Sequence, residues 1–255
     1  MLLTLDISNT TIKAGIFKGE QLLADWRFAT EREKLTDEYA MLLLSLFQAS
    51  GIPASEIDGV SMSCVVPPLR SVFDDLAKKY LHRTPLIVGP GIKTGVKLAV
   101  DNPREVGADR VVNSLATYRL YGGPSIAIAF GTATVFDCVS AQGEYLGGAI
   151  APGVAVALES LTRSAAQLFQ VELVRPPKAI GKSTVTTMQS GVVLGFAGLV
   201  EGLVKRLKAE LDPKAKVIAT GGLADVIAPA TDVIDVVDHE LTLKGLRLIY
   251  ELNAA

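Results

Sequence analysis

Apolar residues come in short runs at the start of the chain, and each run ends in a polar or glycine-containing turn. Residues 2–5, 11–17 and 21–28 are three such runs, with the length and composition typical of β-strands. Between the first two runs lies Asp6-Ile7-Ser8-Asn9-Thr10, whose small hydroxyl and amide side chains favour a tight turn. The pattern predicts three consecutive strands, with a carboxylate where the first one ends.

Helical periodicity then alternates with further strand-like runs. Residues 39–49 and 69–81 predict helices, and residues 57–66 and 86–88 predict strands. The resulting order, three strands followed by helix, strand, helix and strand, indicates an α/β domain with a mixed sheet. Residues 104–121 predict a helix that joins this region to the rest of the chain.

The second half repeats the pattern of the opening. Residues 126–130, 135–140 and 144–150 predict three strands, and a Gly-Thr-Ala-Thr turn at 131–134 separates the first two. Further helices are predicted over 154–167, 184–211 and 241–252, and further strands over 217–220 and 233–237. We therefore predict two duplicated domains, 1–115 and 116–255, each carrying one polar turn beside an interdomain cleft.

The composition narrows the function classes. Of the 255 residues, 49% are hydrophobic and 20% charged, and the net charge of −2 gives no reason to expect nucleic acid or a membrane as partner. The apolar run at 191–200 is too short to span a bilayer, and no signal peptide pattern opens the chain. Two cysteines and two histidines, all well separated, predict reduced thiols in a cytoplasmic protein and no zinc site.

The first polar turn suggests a phosphate site. Backbone N–H groups and small side chains at such a turn can bind phosphate, and Asp6 there would face the metal that accompanies a nucleotide. The alternative is an ordinary hairpin with a polar turn. The second occurrence of the turn at 131–134 favours nucleotide binding, although Gly181-Lys182-Ser183 matches only the tail of a Walker A motif.

Seven short motifs occur together in the order and spacing of one family. They are Asp6-x-x-Asn9-Thr10, Asp101-Asn102-Pro103, Gly107-Ala108-Asp109-Arg110, Gly131-Thr132-Ala133-Thr134, Gly147-Gly148-x-Ile150-x-Pro152-Gly153, Ser183-Thr184 with Met188-Gln189-Ser190-Gly191, and Thr220-Gly221-Gly222. In these motifs, nearly from end to end, the chain resembles the type III pantothenate kinases of the actin-like ATPase superfamily. The resemblance implies two ribonuclease H-like domains with mixed five-stranded sheets.

The resemblance also implies a reaction and its participants. The reaction is ATP-dependent phosphorylation of pantothenate to 4′-phosphopantothenate, the first step of coenzyme A synthesis. ATP and Mg²⁺ would take part, K⁺ or NH₄⁺ would activate, and the protein would be a homodimer.

The resemblance assigns roles to individual residues. Asp109 would take the proton of the substrate hydroxyl, Arg110 would bind the pantothenate carboxylate, and Asp6 would approach Mg²⁺ through water. The ATP phosphates would contact Asp6, Ile7, Ser8, Asn9, Thr10, Thr11, Ile12, Lys13 and Thr132. Pantothenate would contact Val100, Gly107, Ala108, Asp109, Arg110 and Thr184.

Simpler interpretations of these residues stay open. Asp109 could merely stabilise a helix dipole beside a surface arginine, and Thr184 could be a helix N-cap as well as a contact across the dimer interface. Glycines along the long helix could serve a dimer contact or packing within one chain; they are Gly191, Gly195, Gly198 and Gly202.

Four positions depart from the family pattern. Ser8 replaces a glycine and would cost about 1 kcal/mol if that position needed a positive φ. Ala129 replaces the aspartate that ligates K⁺, Val100 replaces a tyrosine that contacts pantothenate, and Val135 replaces a common threonine. The monovalent-cation site is therefore expected to be absent or rebuilt. These departures leave two alternatives: a catalytically impaired regulator that binds nucleotide or a pantothenate-like ligand, and a kinase of another small hydroxy acid.

Overall fold

A computed structural model describes residues 1–254, which form two compact units. Unit 1 comprises Met1–Gly95, Asn102–Ala116 and the residues from Thr242 onward, and unit 2 comprises Val96–Asp101 and Thr117–Leu241. These units differ from the predicted division into residues 1–115 and 116–255, because the C-terminal helix packs within unit 1.

The predicted order of elements is largely present. The strands are β1 (Leu2–Ile7), β2 (Thr11–Lys18), β3 (Gln21–Ala29), β4 (Gly59–Cys64), β5 (Leu86–Ile87), β6 (Lys97–Leu98), β7 (Ser125–Phe130), β8 (Ala133–Val139), β9 (Glu144–Pro152), β10 (Lys216–Gly221) and β11 (Val236–Val237). The helices are α1 (Thr36–Ala49), α2 (Pro67–Tyr80), α3 (Ala108–Tyr121), α4 (Val154–Ser164), α5 (Thr184–Gln189), α6 (Gly195–Leu211), α7 (Ala224–Ile227) and α8 (Leu241–Ala254).

Unit 1 is a five-stranded sheet with helices on both faces. The strand order is β3-β2-β1-β4-β5, antiparallel from β1 through β3 and parallel from β1 through β5. Alternate side chains of β1, including Leu5 and Ile7, lie in a core with residues of α1 and α2. The opposite face meets α8, since Ser61 Oγ donates a hydrogen bond to the Leu246 carbonyl at 2.9 Å. Asp6 lies on this second face because side chains alternate along a strand.

Unit 2 has a six-stranded sheet rather than the predicted five. Its order is β11-β10-β7-β8-β9-β6, and the β7-β8-β9 meander repeats the antiparallel arrangement of β1-β2-β3. The additional strand is β6, whose two residues pair in parallel with the start of β9. Two residues are too few to produce an apolar pattern, so this strand depends on the neighbouring strand rather than on its own sequence.

The long predicted helix of unit 2 is continuous but not uniform. A π-helical segment, Ser190–Leu194, lies between α5 and α6. The whole helix, Thr184–Leu211, is the one helix within residues 1–254 that length and composition alone would allow to cross a membrane. Its uninterrupted apolar run at 191–200 is shorter than the roughly 20 residues that a membrane-spanning helix needs. Its residues Val193 and Val200 are buried in the core of unit 2, as expected of a core helix.

Candidate active site

The first polar turn is held by residues that follow β3. Thr30 Oγ1 donates to the Ser8 carbonyl at 2.6 Å, and the Thr30 N–H donates to the Thr10 carbonyl at 3.0 Å. The Arg32 guanidinium donates to Asn9 Oδ1 at 3.3 Å. Because a trans peptide points its carbonyl and the following N–H in opposite directions, fixing the Ser8 carbonyl also fixes the N–H of Asn9. The turn therefore presents a preset backbone donor, as phosphate sites require.

Ser8 fits this turn without backbone strain. The only non-glycine residue with a positive φ in the described chain is His82, so the cost considered for Ser8 does not arise. The Ser8 hydroxyl instead donates a hydrogen bond to Asp6 Oδ2 at 3.3 Å. The serine at the family's glycine position thus adds a donor to the carboxylate.

Asp6, at the end of β1, is a buried carboxylate in a polar network. Ser63 Oγ donates to its Oδ1 at 2.8 Å. Burial is the main cause that raises the pKa of Asp6 to about 6, and the nearby Asp109 carboxylate acts in the same direction. The charge of Lys13 and the hydrogen bonds from Ser63 and Ser8 act the other way. The fold therefore keeps an acid in a place where its ionised form is costly, which is common at functional sites.

Cations follow Asp6 across the same face of the sheet. In the strand register Asp6 stands opposite Lys13 on β2, and Lys13 stands opposite Arg27 on β3. Directly opposite residues share one face of a sheet, with Cβ atoms about 5 Å apart. The row thus places a carboxylate and two basic side chains next to one another, an arrangement suited to a metal-bound phosphate.

Asp109 lies in the first turn of α3, as predicted, although this helix begins at Ala108 rather than at residue 104. The helix starts there because the Gly107 carbonyl accepts from the N–H groups of Arg110 and Val111, at 3.1 and 3.2 Å. Burial raises the pKa of the Asp109 carboxyl despite the opposing effects of the Arg110 N–H and guanidinium. The helix N-terminus acts to lower the pKa of this aspartate, so burial is the larger effect here. A buried carboxyl with a raised pKa that lies near a second acid, Asp6, is common at functional sites.

Gly107 provides the space in which the Asp109 carboxylate lies. A Cβ at position 107 would come within 2.6 Å of Asp109 Oδ1. We expect Gly107→Ala to move this carboxylate and to lower kcat by about 10-fold to 100-fold, because small misplacements of a reacting group are costly. The free energy of unfolding, measured in urea, should change by less than about 1 kcal/mol. Gly89→Ala is the control, since a Cβ there meets no atom closer than 4.0 Å. Equal turnover in the two variants would contradict this role of Gly107.

Two of the predicted phosphate residues do not present side chains to this site. Ile7 and Ile12 are fully buried among the apolar residues that contact α1 and α2. They lie on the face of the sheet opposite to Asp6, so only their backbone could contribute. Thr11 begins β2 and is half-buried.

In unit 2, Thr132 lies in the turn between β7 and β8. Its carbonyl accepts from the N–H of Gly153 at 3.1 Å. A Cβ at Gly153 would come within 2.4 Å of the carbonyl oxygens of Gly131 and Thr132, so the turn packs closely against the start of α4. The structure thus fixes the shape of the second polar turn within its own unit.

The departures from the family pattern in unit 2 place apolar side chains at three positions, Val100, Ala129 and Val135. Val100 lies beside β9, with Cγ1 3.7 Å from the position of a Cβ on Gly147. Ala129 pairs in register with Val135 on β8 and Thr220 on β10. A methyl group offers no oxygen to a cation, so position 129 does not fit the K⁺ site of the family.

The N-cap of α5 is Ser183 and not Thr184. Ser183 caps the helix by accepting from the Thr186 N–H at 3.2 Å, and Thr184 is the first helical residue. Thr184 is exposed and lines a cavity of about 950 Å³ within unit 2, together with Lys182, Met188 and others. Its position is compatible with a ligand contact.

The donor set around Asp6 fits Mg²⁺ bound with a nucleotide. Magnesium in kinases is held by one or two carboxylates together with substrate phosphates and water. In the part of the chain that the structure describes, no three His, Cys, Asp or Glu side chains form a metal cluster. At such a site Asp6 would supply an oxygen ligand, directly or through water, and the phosphates would supply others.

Two residues of this site escape a pattern-based prediction. Ser63 and Thr30 act through hydrogen bonds to residues far away in sequence. For Ser63 a signal existed, because Ser61 and Ser63 alternate with apolar residues in β4 and so mark one polar stripe on a buried strand.

The architecture of this chain is a fold found in solved kinases of low sequence identity. The inorganic polyphosphate/ATP-glucomannokinase from Arthrobacter sp. strain KM has the same fold at 17% sequence identity, with a TM-score of 0.56 over 99% of this chain and 98% of that one. The sequence model described as type III pantothenate kinase matches residues 2–206. This chain belongs to the type III pantothenate kinase family.

Two relatives illustrate the degree of similarity. The type III pantothenate kinase of Roseiflexus sp. (strain RS-1) is 57% identical over 253 residues, which cover 99% of each chain. The one from Moorella thermoacetica is 53% identical over 253 residues, covering 99% of this chain and 100% of the relative.

Proposed function

We propose that this protein transfers the γ-phosphoryl group of ATP to the hydroxyl of pantothenate, giving 4′-phosphopantothenate for coenzyme A synthesis. The observation that carries the proposal is the pair of acids in unit 1, Asp6 at the end of β1 and Asp109 at the start of α3. They lie close enough for the charge of Asp109 to raise the pKa of Asp6. The names of the relatives support pantothenate as the acceptor.

In this reaction the protein mainly positions groups and neutralises charge. The acceptor oxygen forms a bond to the γ-phosphorus, the bond to the bridging oxygen of ADP breaks, and Asp109 takes the proton of the hydroxyl. A pKa raised by burial makes Asp109 a better proton acceptor. Lys13 and the Asn9 N–H would bind phosphate oxygens. Mg²⁺, when bound at Asp6, would neutralise charge on the phosphates.

The acceptor contacts follow from the family motif. Arg110 is adjacent to Asp109 on α3 and offers a planar guanidinium for the pantothenate carboxylate. Gly107 and Ala108 would contribute backbone at the start of the helix. Val100 would give only an apolar contact, and Thr184 would contact the acceptor bound to a second copy of the chain.

A coupled ADP-release assay tests the function. ATP and Mg²⁺ are supplied with and without pantothenate, and ligand binding is measured separately by calorimetry. We expect ADP release that depends on pantothenate. Absence of turnover together with detectable binding of ATP or pantothenate would contradict the kinase and support the regulator. Turnover with another small hydroxy acid alone would support the third alternative.

We expect turnover that does not require K⁺. The side chain at position 129 is a methyl group, half-buried between Val135 and Thr220 in the strand register. Rates measured in K⁺, NH₄⁺ and tetramethylammonium at equal ionic strength should agree within about twofold, because no side chain at 129 can distinguish the ions. As a matched variant, Ala129→Asp restores the family's acidic residue and should introduce K⁺ stimulation. Strong K⁺ stimulation of the unmodified protein would show that the site is rebuilt elsewhere.

We also propose a homodimer. Unit 2 exposes large apolar side chains, among them Leu161, Phe169 and Ile180, which is 83% exposed. A Cβ added at Gly191, Gly195 or Gly198 would meet no atom within 4 Å, so these glycines do not serve packing within the chain. Sedimentation should give twice the chain mass, and Gly195→Glu should reduce it to the monomer by placing a charge in the contact. A monomeric unmodified protein would exclude the proposal.

The remaining partners and the location are part of the same proposal. The partners are ATP and pantothenate, with no role for nucleic acid or a membrane. Neither Cys64 nor Cys138 is in a disulfide bond, which suits a reducing cytoplasm.

A further inference from the structure

The hydroxyl of Ser63 makes a shorter hydrogen bond to the Asp6 carboxylate than the hydroxyl of Ser8 does. Ser63 stands directly opposite Asp6 in the parallel pairing of β4 with β1. Its Oγ donates to Asp6 Oδ1 at 2.8 Å, whereas the Ser8 hydroxyl is 3.3 Å from Oδ2. Ser63 has no exposed surface, so water cannot take its place without a rearrangement. One carboxylate oxygen is therefore held on the β4 side.

An aspartate without such a contact has a poorly defined carboxylate orientation. The terminal torsion of aspartate is broad, because an sp³–sp² bond has shallow minima. The bond from Ser63 fixes Oδ1 and so determines where Oδ2 and the remaining lone pairs point. Hydrogen bonds of this kind commonly orient the side chains that hold a metal ion.

We infer that Ser63 is a positioning residue for phosphoryl transfer, whose hydroxyl sets the orientation in which Asp6 receives the divalent cation of the nucleotide. The inference rests on the proposed function. It adds a residue on β4 that acts through Asp6 and contacts neither the nucleotide nor the acceptor.

A purely structural role for Ser63 is the competing explanation, and the same strand supplies a matched control. Ser61 lies two residues earlier on the same face of β4 and is equally buried. Its Oγ donates to the carbonyl of Leu246 on α8 at 2.9 Å, and it stands opposite Thr4 rather than Asp6. Ser61→Ala therefore removes a buried hydroxyl of the same strand and face without changing the contacts of Asp6.

The experiment compares the unmodified protein with Ser63→Ala and Ser61→Ala. Mn²⁺ binding is measured by electron paramagnetic resonance in the presence of a non-hydrolysable ATP analogue. Turnover is measured against Mg²⁺ and against pantothenate. We expect Ser63→Ala to weaken Mn²⁺ binding by about 10-fold to 100-fold and to raise the Mg²⁺ concentration for half-maximal rate similarly, with an unchanged KM for pantothenate. Ser61→Ala should match the unmodified protein in Mn²⁺ binding.

The outcomes separate the inference from the proposed function. Equal Mn²⁺ affinity in the Ser63→Ala and Ser61→Ala variants, in a protein that turns over pantothenate, overturns the positioning role. An unmodified protein without pantothenate turnover overturns the proposed function instead. Urea unfolding of both variants is the check on folding. Each variant loses one buried hydroxyl, and Ser63→Ala should be destabilised at least as much as Ser61→Ala, because a hydrogen bond to a carboxylate contributes more than one to a carbonyl.

Discussion

Asp109→Asn is expected to remove turnover while leaving the fold and nucleotide binding intact. Asparagine has the shape of aspartate but cannot accept a proton, and a positioned base contributes about 10²-fold to 10⁴-fold in rate. Asp109 lies in the first turn of α3, and burial raises the pKa of its carboxyl. The measurement is kcat from ADP release, with ATP affinity from calorimetry and urea unfolding as the checks.

The same prediction has a pH dependence. A raised pKa means that the Asp109 carboxyl takes up its proton at a higher pH than an ordinary aspartate does. Turnover should therefore fall on acidification from neutral pH, because the protonated acid cannot act as the base. Asp75→Asn, on the exposed surface of α2, is the control and should keep the full rate. Asp109→Asn with a normal rate would show that another group accepts the proton.

Asp6→Asn is expected to abolish activity and, at the same time, to stabilise the ligand-free protein. Activity is lost because an amide is a poor substitute for a carboxylate toward a divalent cation. Stability rises because the fold disfavours the ionised form: the pKa of Asp6 is about 6 instead of the ordinary 3.8. This difference in pKa corresponds to about 3 kcal/mol, by which the ionised carboxylate lowers the stability of the folded state above pH 6.

The sign of this effect gives it a pH window. Because the pKa of Asp6 is raised in the folded state, its contribution to stability is fully present below about pH 3.8 and is lost as the pH rises through about 6. We therefore expect Asp6→Asn to be more stable than the unmodified protein by about 1–3 kcal/mol at pH 8, with a smaller difference at pH 5. Urea unfolding at both pH values, without metal or nucleotide, measures it. A destabilised variant at pH 8 would mean that burial is not the dominant effect on this carboxyl.

The elements that a local pattern determines were predictable from the sequence. The opening strands, the repeated polar turn and the helix that begins near Asp109 each depend on neighbouring residues, and all are present. The motif resemblance added the family, which the sequence comparisons confirm. The roles of single site residues remain proposals.

Features that depend on distant residues were not predictable in this way. Strand β6 has two residues and exists because it pairs with β9. The contacts of Ser63 and Thr30 arise from the register of strands and the path of the chain after β3. The sign of φ at Ser8 was not predictable, because a glycine at that position in a family does not by itself show that φ is positive.

The most direct test of the central claim is to identify the product. The protein is incubated with ATP, Mg²⁺ and pantothenate, and the mixture is analysed by mass spectrometry and ³¹P NMR alongside the Asp109→Asn variant. We predict phosphopantothenate in the same molar amount as ADP, with the phosphate on the primary hydroxyl, and almost none from the variant. ADP without phosphopantothenate, or equal product from the variant, would contradict the assignment of this site to pantothenate phosphorylation.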